Sequence, residues 1–464
     1  MPDRPRLAWF TPRPPERSGI ATYSVEVLPY LADQFSVDIF VDRPGIPPPH
    51  PRTPVFGAHD FVWKHARKPY DLVVYQLGNA TCHDYMWAYL ARYPGLVVLH
   101  DAQLHHARAR SLLHQERHDD YRAELAYDHP TAPEAVAELG VVGLLGRATY
   151  FWPMLRVPIE TARLVAVHSA WLARDLASTF PSARFEAIRM GVSDPLETAS
   201  PDARRTVLER HGLSPDTVLF AAYGGITPEK RIPRILKAFP SVVAVEPRAQ
   251  LLLIGAAADY YDALADARDW GVANHVTLIG HASDREFSNY LVAADICLCL
   301  RWPNACETSS AWLRCLAAGK PTVITDLAHT AEVPTLVTRG TWSPSHLGSL
   351  ASRTERPDPI AVSIDILDED GSLALAMRRL ARDPGLRRRL GERARAYWSQ
   401  RHTIAAMVQD YTRAMTAAAA EPSPPPGISL PKHFRDSGRS HARTLLQPFG
   451  VRPDLLTEDY PDRG

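Results

Sequence analysis

At 464 residues the chain is too long for one hydrophobic core, and two or three domains are expected. Lys plus Arg number 52 and Asp plus Glu 52, so the formal net charge is zero, which excludes a general electrostatic pull toward nucleic acid or anionic lipid. Cys82, Cys297, Cys299, Cys306 and Cys315 fit no metal spacing and read as free thiols; with no signal peptide and no membrane-spanning run, a cytoplasmic protein without an integral membrane segment is expected.

The first half alternates short apolar runs with helical patterns. Leu7 to Phe10 reads as a strand, followed by a Pro-rich loop and a helix from Ile20 to Ala32 that tolerates Pro29. The loop carries Arg13, Arg17, Ser18 and Gly19, a possible anion cradle, although a plain βα connection also explains it. Further strands are expected at 37–41, 72–75, 96–99 and 164–167. The fourth of these five delivers His100-Asp101 at its C-terminal end, and the last delivers His168-Ser169. His100 suits a hydrogen bond to a sugar hydroxyl or phosphate, with Asp101 orienting it or merely capping a helix. A zinc site from His100, Asp101, His105 and His106 lacks a recognisable fourth-ligand pattern. Residues 107–160 read as helical with a solvated charged face, and the polar stretch 196–215 as a linker.

The second half opens with strand 218–223, then Gly224-Gly225-Ile226-Thr227-Pro228-Glu229-Lys230-Arg231, then a helix. Glycines let backbone approach an anion and Lys230 and Arg231 can neutralise it, but a surface Lys-Arg pair fits equally; the loop lacks the ending of a Walker A motif. Strands are expected at 250–254 and 276–279. Then comes the most organised stretch: strand 296–300, a polar loop, a helix from about Ser309 to Ala318, the stop Gly319-Lys320-Pro321, and strand 322–325. Glu307, Thr308, Ser309 and Ser310 thus lie between a strand's C-terminal end and a helix N-terminus, where open α/β sheets bind ligands and free N–H groups favour anions. Thr308 or Ser309 could equally be a simple N-cap. Asp368-Glu369-Asp370 precedes a helix and reads as helix-start charge.

Four segments in this order resemble glycosyltransferase family 4, over about residues 5–415: PPERSGIATYSVEVLPYLA, VVLHDAQLHH, GGITPEKR and ETSSAWLRCLAAGKPTVITD. The resemblance implies the GT-B fold: an α/β protein of two Rossmann-like domains facing each other across a cleft, with C-terminal helices crossing back. The domains would be 1–200 for the acceptor and 201–395 for the donor, with a crossing helix at 396–420 and a Pro-rich, loosely ordered or surface-wrapped tail at 421–464. It implies a retaining transferase needing no metal or cofactor, with a UDP- or GDP-linked sugar as donor and a small-molecule, glycan or lipid-linked acceptor. His100 and Glu307 would be catalytic. Gly224, Gly225, Lys230 and Arg231 would hold the diphosphate. Thr308, Ser309, Ser310 and Arg314 would serve the donor sugar and nucleotide, and Ser18, Gly19 and Asp101 would border the acceptor. Two departures stand out. Counted back from Gly319-Lys320-Pro321, the family's second glutamate falls on Arg314 and its first on Cys306, with Glu307 one place late. The arginine often found at Gly225 is missing, and Arg231 is the replacement at hand. Together they suggest a subgroup with Glu-Thr-Ser in the donor motif. A catalytically silent GT-B scaffold and a GT-B epimerase or phosphorylase are the competing readings.

Overall fold

In a computed structural model of the chain, the described residues are all except 1–3, 17, 44–50, 339–357, 426–428, 437–438 and 451–464. The first domain holds strands β1 (Arg6–Phe10), β2 (Ser36–Val41), β3 (Val55–Gly57), β4 (Leu72–Leu77), β5 (Leu96–Leu99), β6 (Leu164–Val167) and β7 (Phe185–Ala187). The second holds β8 (Val218–Tyr223), β9 (Ala249–Ile254), β10 (Val276–Gly280), β11 (Ile296–Cys299), β12 (Thr322–Thr325), β13 (Thr335–Val337) and β14 (Ala361–Ile364). The sheet orders are β3-β2-β1-β4-β5-β6-β7 and β10-β9-β8-β11-β12-β14-β13, with every pairing parallel. The fully apolar strands β5 and β6, and β12 with its Val323 and Ile324 between two threonines, are buried along their whole length, as strands covered by helices on both faces must be.

Each sheet reverses its winding direction between two central strands: β1 and β4 in the first, β8 and β11 in the second. Ligands of open α/β sheets bind outside the carboxyl ends of such strands. The loops that leave these four strands carry Arg13 to Gly19, Gly78-Asn79, Gly224 to Lys230 and Arg301 to Ser309.

The C-terminal helices knit the halves together. Helix Pro384–Arg401 follows the second domain, and helix Ile404–Ala420 crosses back to pack Met407, Tyr411, Ala414 and Ala418 into the core of Trp9, Val27 and Leu28. Its Asp410 takes a two-pronged grip from the Arg189 guanidinium (Nε–Oδ2 2.7 Å, Nη2–Oδ1 2.9 Å) and also accepts the Arg189 N–H. The 196–215 stretch expected as a linker contains helix Ala203–Arg210, whose Val207 is buried beside Leu219 and Ala221. In the 421–464 tail, the described part includes helix Lys432–Arg435, which docks on the first domain. Leu430 and Phe434 are buried there, and His433 Nε2 lies 2.7 Å from Glu124 Oε1. Residues 451–464 lie outside the described residues.

Candidate functional site

A cavity of about 440 Å³ opens between the domains at the ends of β8, β11 and β12. Its walls include Tyr223, Lys230, Arg301, Glu307, Thr308 and Ser309 from the second domain and His168 and Ser169 from the first, over an apolar floor of Leu298, Trp312 and Ile324.

The Lys230 side of the cavity depends on glycine. Gly224 has φ +91°, a backbone strained for other residues, and a Cβ there would sit 2.5 Å from Lys230 Nζ, so a side chain would push the lysine's tip aside. Thr227 caps the following turn by accepting the Lys230 N–H at 3.4 Å. Lys230 Nζ donates to the Tyr223 carbonyl at 2.8 Å. Burial first, and the charge of Arg301 second, pull its pKa down to about 8. Gly225 carries no side chain toward an anion, and its neighbourhood is open.

Arg231 does not join this cradle. It sits in left-handed backbone (φ +59°) with its guanidinium on the Glu369 carboxylate, Nε to Oε1 at 2.6 Å, at the start of helix Glu369–Arg382. The Asp368-Glu369-Asp370 run therefore acts at a helix start, and Asp370 pairs with Arg234 and Lys237. The sequence could not show that Arg231's partner lies over a hundred positions away.

In the loop after β11, Glu307 Oε2 accepts the Ala305 N–H at 2.7 Å and Oε1 pairs with the Arg301 guanidinium. Ser309 caps helix Ser310–Ala317 by accepting the Trp312 N–H at 3.3 Å, and Thr308 and Ser309 both line the cavity. Ser309 is thus an N-cap and a wall residue at once. Ser310 begins the helix and is not among the lining residues. Arg314 turns to the first domain, where it meets Glu26 Oε1 at 2.6 Å and Ser193 Oγ at 3.1 Å.

The first domain contributes a chain of hydrogen bonds. His168 Nδ1 faces the Ile188 carbonyl at 2.9 Å and His168 Nε2 faces His100 Nδ1 at 3.1 Å. His100 Nε2 reaches Gln76 Oε1 at 2.8 Å, which also accepts from the Tyr411 hydroxyl at 3.2 Å. His100 therefore stands one layer behind His168, which lines the cavity together with His329 and His402. Burial lowers the pKa of both, His168 to about 4, so both are neutral at pH 7. His168 was legible as a strand-end His-Ser, but nothing in the sequence ranked it above His100.

Asp101 is no helix cap: the next helix begins at His105, and Asp101 Oδ2 accepts the Asn79 N–H at 2.6 Å. Burial and the nearby Glu307 charge raise its pKa to about 6. Ser18 accepts the Ile20 N–H at 3.2 Å to cap its helix, and Gly19 faces open space. Arg17 lies outside the described residues. The His105 ring nitrogens are engaged with the Trp152 carbonyl and the Tyr121 hydroxyl, so it does not join His100 and Asp101 in a zinc site. Among the described residues no group of three or more His, Cys, Asp or Glu is placed to hold a metal ion.

Residues 216–356 match the family model described as glycosyl transferases group 1. Over 217 residues, 44% of the chain, the sequence is 27% identical to the GDP-mannose-dependent monoacylated alpha-(1-6)-phosphatidylinositol monomannoside mannosyltransferase of Corynebacterium glutamicum. That match spans 56% of the relative, little more than half its length. Among solved structures, Anabaena Alr3699/HepE in complex with UDP and glucose aligns with TM-score 0.60 and 15% identity, covering 89% of this chain and all of that one. WaaG, a glycosyltransferase involved in lipopolysaccharide biosynthesis, aligns with TM-score 0.58 and 14% identity, covering 88% and 99%. With two parallel seven-stranded sheets, an interdomain cavity and these neighbours, the chain has the GT-B fold.

Proposed function

We propose that the protein is a retaining, metal-independent glycosyltransferase that moves a sugar from a UDP- or GDP-linked donor to a hydroxyl of a small-molecule, glycan or lipid-linked acceptor. The observation that carries this reading is one cavity, at the switch point of the second sheet and against the ends of β6 and β7 of the first, holding a half-buried lysine, a carboxylate and a helix start. As the bond from sugar carbon 1 to the phosphate oxygen breaks, its electron pair leaves with the diphosphate. Lys230 and the N–H groups at the 308–310 helix start would stabilise that charge. Glu307 would hold sugar hydroxyls. Neutral His168, kept in place by His100, would contact the sugar without repelling its developing positive charge. The acceptor oxygen bonds to carbon 1 on the face the phosphate leaves, and its proton passes to a phosphate oxygen. Contacts where the domains touch would help exclude water: Ala102 N–H donates to the Ala305 carbonyl at 2.6 Å, and Arg147 pairs with Glu229 at 3.1 Å at the exposed rim. The similar proteins, a GDP-mannose-dependent transferase and a structure in complex with UDP and glucose, support a nucleotide-linked donor.

The test is thermal unfolding against UDP-, GDP-, ADP- and dTDP-sugars, with Lys230→Ala as control. A ligand at a hundred times its dissociation constant adds about 2.7 kcal/mol. One nucleotide series should stabilise the wild type and far less the variant. Arg314 engaged with Glu26 is the observation that favours a silent binding protein. Nucleotide binding without sugar release from any donor would point to that reading instead.

A further inference from the structure

Two negative charges of a diphosphate call for more than one cation, and the two positions expected to help Lys230 do not: Gly225 has no side chain, and Arg231 is bound to Glu369. Arg301 is placed to fill the gap. It lies two residues past the end of β11, and its N–H donates to Thr325 Oγ1 at 3.3 Å, which ties its backbone to the end of the neighbouring strand β12. Its side chain lines the same cavity as Lys230, close enough for the two charges to repel. The guanidinium is about two-fifths exposed and rests against Glu307. Glu307 Oε1 is buried and makes no hydrogen bond among the described residues, so Arg301 touches it as an ion-pair partner only. A cation leaning on a single carboxylate, beside a second cation and an open cavity, can be drawn off by a doubly charged anion.

We propose that Arg301 is the second cation of the diphosphate site, and that it transfers from Glu307 to the diphosphate when the donor enters, freeing the carboxylate for the sugar. This rests on reading the cavity as a nucleotide-sugar site. Donor entry is then coupled to arming Glu307: an empty cleft holds the carboxylate neutralised, and a filled one releases it.

Titration calorimetry with UDP and GDP on wild type, R301Q, R301K, E307Q and the double variant R301Q/E307Q tests it, with unfolding midpoints as the folding check. R301Q should bind the diphosphate about ten- to a hundredfold more weakly, the range for losing a charged hydrogen-bond partner. R301K, which keeps the charge, should recover most of that loss. E307Q should bind more tightly than wild type, and the double variant should bind like R301Q alone, because the gain needs an arginine to release. If R301Q binds like wild type, Arg301 only steadies Glu307 and the assignment falls. If the E307Q gain persists in the double variant, the transfer falls, because removing repulsion alone explains it. If wild type binds neither nucleotide while remaining folded, the donor-site reading itself fails, a result distinct from either variant outcome.

Discussion

Lys230 titrates within the working range of an enzyme assay. Its pKa near 8, against an ordinary 10.5, means that the empty site holds a charged amine below pH 8 and a neutral one above. Diphosphate affinity is therefore expected to be level from pH 6 to about 7.5, then to fall by up to about tenfold per pH unit above 8. Lys230→Gln should flatten the profile, and calorimetry at several pH values reads it directly. For stability the sign runs the other way. Between pH 8 and 10.5 the unfolded lysine holds a proton that the folded one has lost, so this residue's contribution improves as pH rises through that window. Residue identities suggested Lys230, Glu307 and the His100 segment from sequence alone. Which cation faces the cavity depends on side-chain partners far apart in the chain, as Arg231 with Glu369 and Arg314 with Glu26 illustrate.

Among the elements, the sequence was clearest where burial made a run largely apolar. Strands β5, β6, β8 and β12 fall where their apolar residues predict, and helix Ser310–Ala317 lies within a residue of both expected ends. Strands β3, β7 and β13 escaped notice because each is a three-residue edge or near-edge strand with partial burial and no alternation to read. β14 is fully buried but only four residues long. The crossing helix was expected at 396–420 from the family resemblance, but its seat was not. Gly191 provides that seat: a Cβ there would lie 2.4 Å from the Thr403 carbonyl oxygen and 3.0 Å from Met407 Cβ. Gly191→Ala must lift the start of helix Ile404–Ala420 and is expected to cost about 1–3 kcal/mol, the range for overpacking. Urea unfolding of the variant measures it, and a cost near zero would mean the helix is not held against this turn.

For the molecule as a whole, the two domains are joined by ion pairs as well as by chain. Arg314 to Glu26, at 2.6 Å, comes from the helix behind the donor motif and the first helix of the opposite domain. Arg395 bonds Asp194 Oδ1 at 2.7 Å near the first crossing. Glu26→Gln and Arg314→Gln are each expected to destabilise by about 1–3 kcal/mol, because each strands a largely buried partner; the double variant should cost less than their sum. Denaturant unfolding of the three proteins gives the cycle. Additive losses would show that the pair is not coupled.

The return of helix Ile404–Ala420 into the core of Trp9, Val27 and Leu28 bears on how the chain can be made. Synthesis runs from the amino end, so the first domain emerges with one apolar face uncovered and stays so while some two hundred further residues are added. At typical elongation rates that is on the order of ten to forty seconds. During that interval the nascent half-protein has a sticky face for chaperones, and its final lock arrives only when helix Ile404–Ala420 leaves the ribosome. A fragment ending at residue 200 should be poorly soluble when expressed alone and should be rescued by co-expressing the 396–420 segment.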